Sequence, residues 1–479
     1  MRKVIYIILI VHCTLNIENC FGQWQQEYLL YNVGYPQTSF NNARCVATNG
    51  NIVHAVWYEG GFYNDMGEIY YKRSTNGGVS WGPETRLTNN PAISRSPSVS
   101  VSGSVVHVVW SDERDGNFEI YYKRSSDAGI SWSGDIRLTN NPGASEYPSM
   151  DVSGSFVHVV WQDERDQNQE IYYKRSTNGG ISWGKEIRLI NDIHESFLPS
   201  ISVSGLYVHV AWFDRRENEE IYYNHSSDGG TTWGTNLRLT TNPAYSEFTS
   251  ISVSVSVVHV VWMDFRDSNW EIYYKRSTNG GINWEADKRL TTNSSMSWYP
   301  SVSSSGSVVH VAWQEYRDYN WDIYYKRSTD GGISWGTDTR LTNNPSDTEC
   351  PSVAVSGSVV HVVWGYNYED IYYKRNPTGN SIGVININSE IPNHFSLSQN
   401  YPNPFNPKTV ISFQLAVNSF AELKVYDLLG REVAFLVNEN LRAGTYEVDW
   451  DATNYPSGVY YYKIVTNDFS ETKKMVLVK

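Results

Sequence analysis

A pattern of aspartate and arginine recurs five times along the chain, beginning with Asp112-Glu113-Arg114-Asp115 and Asp163-Glu164-Arg165-Asp166. Aromatic residues lie close to several copies. A guanidinium group binds carboxylates as a planar fork, and aromatic rings stack on the apolar faces of sugars. The pattern therefore predicts a rim that binds glycans. The candidate ligand-binding residues are Asp112, Asp163, Arg114, Arg165, Arg216, Arg266, Arg317, Trp270, Trp298 and Trp321.

A structural role for the same residues stays open. An Asp–Arg pair that returns in five copies is also what a salt bridge holding five equivalent loops would require. A calcium site at Asp112, Asp115 and Asn117 is disfavoured because Arg114 lies among the ligands and would repel the ion. Seven histidines occupy one equivalent position, which indicates packing residues hydrogen-bonded to a neighbouring repeat rather than seven catalytic bases. The sequence predicts no metal and no cofactor. The seven are His54, His107, His158, His209, His259, His310 and His361.

The elements that position these residues are internal repeats. A segment resembling Val-His-Val-Val-Trp returns every 50 to 53 residues, with its tryptophan at positions 57, 110, 161, 212, 262, 313 and 364. In the second repeat, Pro97–Ser102, Val105–Trp110, Glu119–Ser125 and Asp135–Thr139 each have the pattern of a short strand. Four antiparallel strands in about fifty residues are typical of one propeller blade. The sequence predicts an all-β chain with a seven-bladed β-propeller.

The two ends of the repeat region predict how the ring closes. The seventh repeat lacks a fourth strand, because Asp370–Arg375 leads directly into a linker. Trp24–Tyr31 has no preceding strands and aligns with Trp81–Thr88 of the first repeat. We therefore expect the N-terminal strand to complete the last blade. Cys45 and Cys350 fall on the two sides of this seam, and a closing disulfide is one alternative in an oxidising compartment.

Six repeats carry the pattern Ser-x-Asp/Asn-x-Gly-x-x-Trp between their third and fourth strands, and we call these segments the box turns. The Asp or Asn side chain can accept backbone N–H bonds, and the glycine allows positive φ. The box turns are Ser74–Trp81, Ser125–Trp132, Ser176–Trp183, Ser226–Trp233, Ser277–Trp284 and Ser328–Trp335.

Residues 24–376 resemble the Asp-box, or BNR-repeat, propellers typified by sialidases. This resemblance implies a site on the face opposite the box turns. Sialidases are six-bladed and use three arginines, a Tyr–Glu nucleophile pair and an Asp general acid, whereas this chain has seven repeats and lacks the Arg-Ile-Pro motif. The remaining candidates for catalysis are Arg44, Tyr366 and Glu369 in the irregular terminal repeats. A non-enzymatic binding protein is favoured, and the alternatives are a sialidase-type exo-glycosidase and a structural surface protein.

Composition supports an extracellular protein. The formal charge of −13 and the mixing of acids with bases disfavour a nucleic-acid partner. Arg2, Lys3, the apolar run Val4–Val11 and small residues near Gly22 predict a signal peptide over residues 1–22. A lipoprotein anchor at Cys20 is disfavoured by Glu18 and Asn19 before it. The expected partner of residues 23–376 is an extracellular glycan or glycoprotein, and we expect a monomer.

The chain changes character after a polar linker at 377–394. Residues 395–479 alternate polar and apolar residues between turns, which predicts an immunoglobulin-like antiparallel β-sandwich. The module resembles the C-terminal sorting domain of type IX secretion cargo, through Asn400–Pro407, Val425–Gly430, Pro456–Tyr460 and Lys473–Met475. The resemblance implies the type IX machinery as a partner and a secreted or cell-surface location. An ordinary adhesive sandwich is the alternative.

Overall fold

The computed structural model describes residues 24–39, 44–60, 67–216, 218–357, 359–377, 384–388, 392–441, 443–452 and 455–479. The chain divides into two compact units, one of Trp24–Gly379 and one that contains Asn380–Lys479. All described regular elements are β-strands. Across these ranges there is no helix long and apolar enough to span a membrane. The predicted signal peptide lies outside the described residues.

The first unit contains seven antiparallel sheets in its described part, and we number them blades 1 to 7 in chain order. The inner strands are Val46–Asn49, Ser94–Ser102, Ser145–Ser153, Ser196–Ser204, Ser246–Ser254, Ser297–Ser305 and Thr348–Ser356. The second strands are Ile52–Glu59, Val105–Asp112, Phe156–Asp163, Tyr207–Asp214, Val257–Asp264, Val308–Arg317 and Val359–Tyr366. The third strands are Glu68–Ser74, Glu119–Ser125, Glu170–Ser176, Glu220–Ser226, Glu271–Ser277, Asn320–Ser328 and Asp370–Asn376.

The outer strands are short. Those of blades 1 to 6 are Thr85–Arg86, Ile136–Arg137, Ile187–Arg188, Leu237–Arg238, Lys288–Arg289 and Thr339–Arg340. Blade 1 has an additional strand, Pro36–Gln37, that pairs with the end of its second strand. The four-stranded pattern expected from the repeat is confirmed.

The second strands form the apolar centre of each blade. Successive side chains of these strands point to opposite faces of the sheet, and both faces are buried because each blade is packed between two neighbours. This explains the nearly continuous apolar sequence. The tryptophan of each repeat is completely buried: Trp57, Trp110, Trp161, Trp212, Trp262, Trp313 and Trp364.

The inner strands pack against one another in a closed ring, since Val46–Asn49 contacts the inner strands of both blade 2 and blade 7. Serine hydroxyls join successive blades. Ser98 Oγ accepts the Met150 N–H at 3.3 Å, and Ser352 Oγ accepts the Cys45 N–H at 3.0 Å across the seam. Such hydrogen bonds satisfy backbone donors that a single isolated sheet would leave exposed.

The seam closes as predicted. Tyr28–Tyr31 is the outer strand of blade 7 and pairs with the third strand Asp370–Asn376, Tyr28 lying opposite Tyr373. Trp24 packs edge-on against Tyr325 with ring centroids 4.8 Å apart. The box-turn tryptophans make the same contact with the preceding blade, for example Trp183 with Tyr122 at 4.9 Å. Trp24 therefore replaces the box-turn tryptophan that blade 7 lacks.

Each box turn packs against a tyrosine of the preceding blade. In the third blade, Gly180 has a φ of +77° and donates its N–H to Ser176 Oγ at 2.9 Å. A Cβ added at Gly180 would overlap the hydroxyl of Tyr122, which belongs to blade 2. His107 Nδ1 lies 2.7 Å from that same hydroxyl. The expected hydrogen bond from each histidine to a neighbouring blade is wrong, because the histidine binds a tyrosine of its own blade and the tyrosine reaches the neighbour.

The second unit is a β-sandwich of two antiparallel sheets. One contains Val384–Asn388, Ser396–Leu397, Lys408–Leu415 and Gly444–Asp451. The other contains Ser419–Tyr426, Glu432–Leu441, Gly458–Val465 and Ser470–Leu477. Ile411, Phe413, Leu423, Tyr462 and Met475 belong to a single core shared by the two sheets. This agrees with the sandwich predicted from the alternating pattern.

Candidate functional site

The propeller has two different faces. The box turns lie beside the hairpins that join inner and second strands, as the Gly179 N–H to Ser155 C=O bond of 2.8 Å shows. At the other end of the ring, the loops between second and third strands meet the loops between blades, as the Ser145 N–H to Phe118 C=O bond of 2.7 Å shows. We call this second end of the ring the mouth. All the rim residues singled out from the sequence lie at the mouth end of their strands.

The Asp–Arg pairs brace individual blades. In blade 2, Arg114 donates Nε to Asp112 Oδ1 at 2.7 Å, Nη2 to Asp112 Oδ2 at 2.6 Å and Nη1 to Asp135 Oδ2 at 2.8 Å. Its guanidinium also stacks on Tyr121, 4.3 Å from the ring centroid. In blades 2, 3, 5 and 6 the arginine thus ties the end of the second strand to the outer edge of its own blade, whereas Arg216 of blade 4 binds Asp214 and lies 3.9 Å from Asp192. The equivalent pairs are Asp163–Arg165, Asp214–Arg216, Asp264–Arg266 and Glu315–Arg317.

The carboxylates of these braces are inaccessible. Asp112 and Asp163 are both 0% exposed. Burial opposes ionisation of Asp112, but hydrogen bonds from Arg114, Trp110 and Ser94 outweigh it and hold its pKa below the ordinary value. Arg165, Arg216, Arg266 and Arg317 have their guanidinium groups engaged in the same way as Arg114. These contacts favour the structural alternative for the Asp–Arg pairs.

The predicted aromatic residues do come together. Trp298 and Trp321 lie with ring centroids 4.5 Å apart, and Trp321 contacts Tyr316 at 5.2 Å. Trp270 packs against Phe265 at 5.2 Å. The rings continue from blade 6 towards blade 4 through contacts of 4.8 to 6.1 Å. We call the connected set the aromatic string: Phe197, Phe213, Phe248, Tyr299, Trp298, Trp321 and Tyr316.

A β-bulge directs part of the aromatic string. Phe248 and Tyr299 have φ values of +50°, in the left-handed region, and the register of each inner strand shifts at this point. Such a conformation costs a non-glycine residue about 1–2 kcal/mol, so the surrounding ladder must hold it. The bulge recurs at the same position of blades 2 to 7, at Ser96, Tyr147, Leu198, Phe248, Tyr299 and Cys350. It places a different side chain of each blade at the mouth.

Two carboxyl groups share a proton beside the aromatic string. Glu247, which precedes Phe248, is hydrogen-bonded to Glu219 of the adjacent blade. Burial, followed by this contact, raises the pKa of Glu247 to about 8. Arg215 pairs with Glu219 and Glu195 at 2.9 Å each and stacks over Phe197. At neutral pH Glu247 is therefore protonated, while Glu219 remains the partner of Arg215.

A shallow cleft lies at the seam, lined by Pro36, Gln37, Thr38, Glu349, Cys350, Gly365 and Tyr368. Tyr368 donates a hydrogen bond to Glu349, whose pKa is raised chiefly by burial. Cys350 and Cys45 are both buried free thiols, so the structure does not support the alternative of a seam disulfide.

The three predicted catalytic candidates do not assemble around this cleft. Arg44 forms an ion pair with Asp151 of blade 3 and donates Nη2 to Ser202 of blade 4 at 3.0 Å. Tyr366 packs edge-on against Tyr372, and Glu369 is exposed on the turn that follows. Glu349 and Tyr368, which form the Tyr–Glu contact instead, are neighbours of the predicted residues in sequence.

Several residues of the mouth were not found from the sequence. Phe213, Tyr299 and Tyr316 of the aromatic string, and the pair Glu219–Glu247, were not singled out. The sequence feature that marks these aromatic residues is that their type differs from the residue at the equivalent position of other repeats. Phe213 occupies a position that is Ser111 in blade 2, and Tyr299 occupies one that is Ser96. Comparing the seven repeats position by position would have identified both.

Solved structures with a similar fold include two polysaccharide lyases. One is a PL25 ulvan lyase bound to -[GlcA(1-4)Rha3S]-, with 11% identity, a TM-score of 0.50 and coverage of 73% of this chain and 95% of that chain. The other is the polysaccharide lyase Uly1, with 10% identity, a TM-score of 0.50 and coverage of 74% and 99%. A sialidase of Trypanosoma rangeli matches with 11% identity, a TM-score of 0.44 and coverage of 82% and 85%. At these identities the similarity of the two lyases concerns the fold alone, and they agree with a propeller.

The comparison of sequence families identifies the second unit. Residues 399–479 match the secretion system C-terminal sorting domain, in agreement with the motifs between Asn400 and Met475. No curated protein matches the chain. A C-terminal domain of this kind directs its protein through the type IX secretion system. The chain is therefore a β-propeller protein that a C-terminal sorting domain exports to the outside of the cell.

Proposed function

We propose that the propeller binds an extracellular glycan along the aromatic string, and that the sorting domain delivers this binding unit to the cell exterior. The observation that carries the proposal is the run of partly exposed rings across blades 5 and 6 at the mouth, which the buried ring of Phe213 connects to Phe197 of blade 4. The rings of Trp298, Trp321, Tyr299 and Phe248 are all partly exposed. Soluble proteins ordinarily cover aromatic groups of this size unless they form a binding surface.

The shape and chemistry of the string suit a chain of sugars. A sugar ring has an apolar C–H face that packs on an aromatic ring and hydroxyls that need hydrogen-bonding partners. The Glu247 carboxyl and the Glu349–Tyr368 pair lie near Tyr299, because Tyr299 interacts electrostatically with all three. The ulvan lyase of similar fold, whose structure contains a bound saccharide, supports a glycan over a protein ligand.

Replacing Trp321 with alanine tests the proposal. We expect the full secreted chain to bind one or more polysaccharides on an immobilised glycan panel. Trp321→Ala should weaken that binding ~10-fold or more, because this partly exposed indole contacts both Trp298 and Tyr316 of the string. Trp321→Phe keeps a ring and should lose less affinity.

The matched control is Tyr207→Ala. Tyr207 is an aromatic residue 49% exposed at the hairpin between inner and second strands, on the box-turn face. Its removal should leave glycan binding unchanged. Absence of binding to every glycan, or equal losses for Trp321→Ala and Tyr207→Ala, would contradict the proposed site and favour the structural surface protein.

A sialidase-type exo-glycosidase is a second candidate, favoured by one observation. Tyr368 and Glu349 form a Tyr–Glu contact in the seam cleft, and a tyrosine assisted by a glutamate is the nucleophile of the sialidases that the repeats resemble. Incubation with a fluorogenic sialoside tests it. We expect no release by the full chain, since Arg44 is occupied by Asp151. Release that Tyr368→Phe abolishes would establish the hydrolase instead.

We also propose that residues 1–22 act as a cleaved signal peptide that precedes the type IX step. The proposed domains are residues 23–376 as the propeller, 377–394 as the linker and 395–479 as the sorting domain. The compact units divide between Gly379 and Asn380, and the strand Val384–Asn388 within the proposed linker pairs with Gly444–Asp451 of the sandwich. The Asp-box assignment rests on the turn geometry. In blade 2, Asp127 Oδ1 accepts the Ser131 N–H at 2.9 Å, and Gly129 donates to Ser125 Oγ at 2.8 Å.

A further inference from the structure

The positive charges of the mouth are engaged by carboxylates of the protein itself. Arg95 pairs with Glu146 while it stacks over Phe118, at 4.1 Å from the ring centroid. Arg215 lies between Glu195 and Glu219, and Arg44 is bound to Asp151. The five brace arginines are held in the same way. Each guanidinium named here has a carboxylate partner within its own or a nearby blade.

The charged groups around the aromatic string are mostly acids, and Arg215, the arginine that stacks over Phe197 of the string, is paired with two of them, Glu195 and Glu219. Tyr299 of the string interacts with Glu247 and Glu349, and burial raises the pKa of both carboxyl groups. Glu247 shares a proton with Glu219, and Tyr368 donates to Glu349. A ligand on the string therefore meets hydroxyl and carboxyl hydrogen-bonding groups with no excess of positive charge.

The charge balance discriminates between classes of glycan. The carboxylate of a uronate or sialate loses its hydration on binding. Only a cation or several N–H donors can replace the lost hydration free energy. Here the carboxylate of such a sugar would have to displace Glu195 or Glu219 from Arg215, or approach Glu349. An uncharged sugar pays neither cost and uses the same acids and tyrosine as partners for its hydroxyls.

We propose that the aromatic string accepts an uncharged polysaccharide and excludes acidic ones. The proposal rests on the proposed glycan-binding function and names its ligand class. It also explains why the chain retains a full set of arginines at the mouth without offering an acid-binding site. The arginines hold the loops that carry the rings, and their carboxylate partners neutralise the charge of the guanidinium groups.

Titration calorimetry with defined hexasaccharides tests the ligand class. The full chain is titrated at pH 7 with cellohexaose, xylohexaose, mannohexaose and laminarihexaose, and with the hexamers of galacturonate and mannuronate. We expect at least one neutral hexamer to bind ~10-fold or more tightly than both acidic ones. Raising NaCl from 50 to 500 mM should change the neutral affinity by less than ~2-fold, because stacking is not screened by salt.

Glu195→Gln is the informative variant. It removes one of the two carboxylate partners of Arg215 but keeps the side-chain volume, and Arg215, which lies 4.6 Å from the ring centroid of Phe197, would then have charge available to an acidic sugar. We expect the affinity for the acidic hexamers to rise ~5-fold or more and to fall again in 500 mM NaCl. An unchanged affinity would overturn the view that paired arginines exclude acidic sugars.

The remaining outcomes distinguish an error in the ligand class from an error in the proposed glycan binding. Preferential binding of an acidic hexamer by the unmodified chain, sensitive to Trp321→Ala, would overturn the ligand class and leave glycan binding intact. No binding in either arm would overturn the proposed function and the ligand class together.

Discussion

Acidification from pH 7 to pH 4.5 should unfold the propeller, because seven buried histidines must be protonated as the chain unfolds. Burial lowers the pKa of His54, His107 and His158 to about 4, and that of the other four to about 3. The unfolded chain binds protons near the ordinary pKa of about 6.5, so it is favoured as the pH falls. The stability is complete above pH 6.5 and is lost towards the folded-state pKa values.

The expected size is large. A pKa difference of two or more units corresponds to ~3 kcal/mol for each histidine, and seven of them exceed the ~5–15 kcal/mol by which a typical domain is stable. Glu247 acts in the opposite sense, because its raised pKa makes the folded state bind its proton more tightly. Glu170, Glu220, Glu271, Glu349 and Asp370 also have raised pKa values and act in the same sense as Glu247, but the shifts of the seven histidines are larger.

Thermal unfolding monitored by tryptophan fluorescence between pH 8 and pH 4.5 measures the effect. The midpoint temperature should fall steeply below pH 6.5. Because the glutamine of His158→Gln cannot be protonated in this range, the number of protons taken up on unfolding should fall by about one of the seven. A midpoint that is flat between pH 7 and pH 5 would show that the imidazoles are not held neutral by burial.

Gly180→Ala is expected to destabilise the propeller strongly, as would the same change at the equivalent box-turn glycines Gly78, Gly129, Gly230, Gly281 and Gly332. Gly180 has a φ of +77°, and its new Cβ would occupy the position of the Tyr122 hydroxyl. Tyr122 cannot move aside, because it is hydrogen-bonded to His107 and packed under Trp183. Backbone strain of ~1–2 kcal/mol and an overpacking cost of ~1–3 kcal/mol add to a loss of ~2–5 kcal/mol.

Gly154→Ala is the matched control. Gly154 also has positive φ, +58°, in the hairpin of the same blade, but nothing lies within 4 Å of an added Cβ. It should therefore lose only the ~1–2 kcal/mol of backbone strain. Denaturant unfolding of the two variants at neutral pH distinguishes the free-energy cost of backbone strain from the cost of disturbing the Tyr122 contact between blades. Equal losses would mean that the Tyr122 contact contributes nothing.

The repeat allowed the blades to be predicted because four alternating strands in fifty residues have few other ways to bury Trp110 and its equivalents. The seam was predictable for the same reason, since Trp24–Tyr31 matches an outer-strand segment and Asp370–Asn376 lacks one. The roles of Arg114 and Trp321 were harder to separate. Both recur near the same loops, and residue type alone cannot show that one guanidinium faces Asp112 while one indole faces solvent.

The sequence by itself determined the strand pattern, the closure of the ring and the export module, because these depend on periodicity and on short-range motifs such as Asn400–Pro407. Only the tertiary structure decided which residues meet at the mouth. Glu219 and Glu247 belong to adjacent blades and approach each other only when the blades pack, while Trp298 and Trp321 lie on separate strands of blade 6 and meet only when that sheet forms. The protonation of a carboxyl group and the exposure of a ring depend on that packing, since both are set by neighbours distant in the chain.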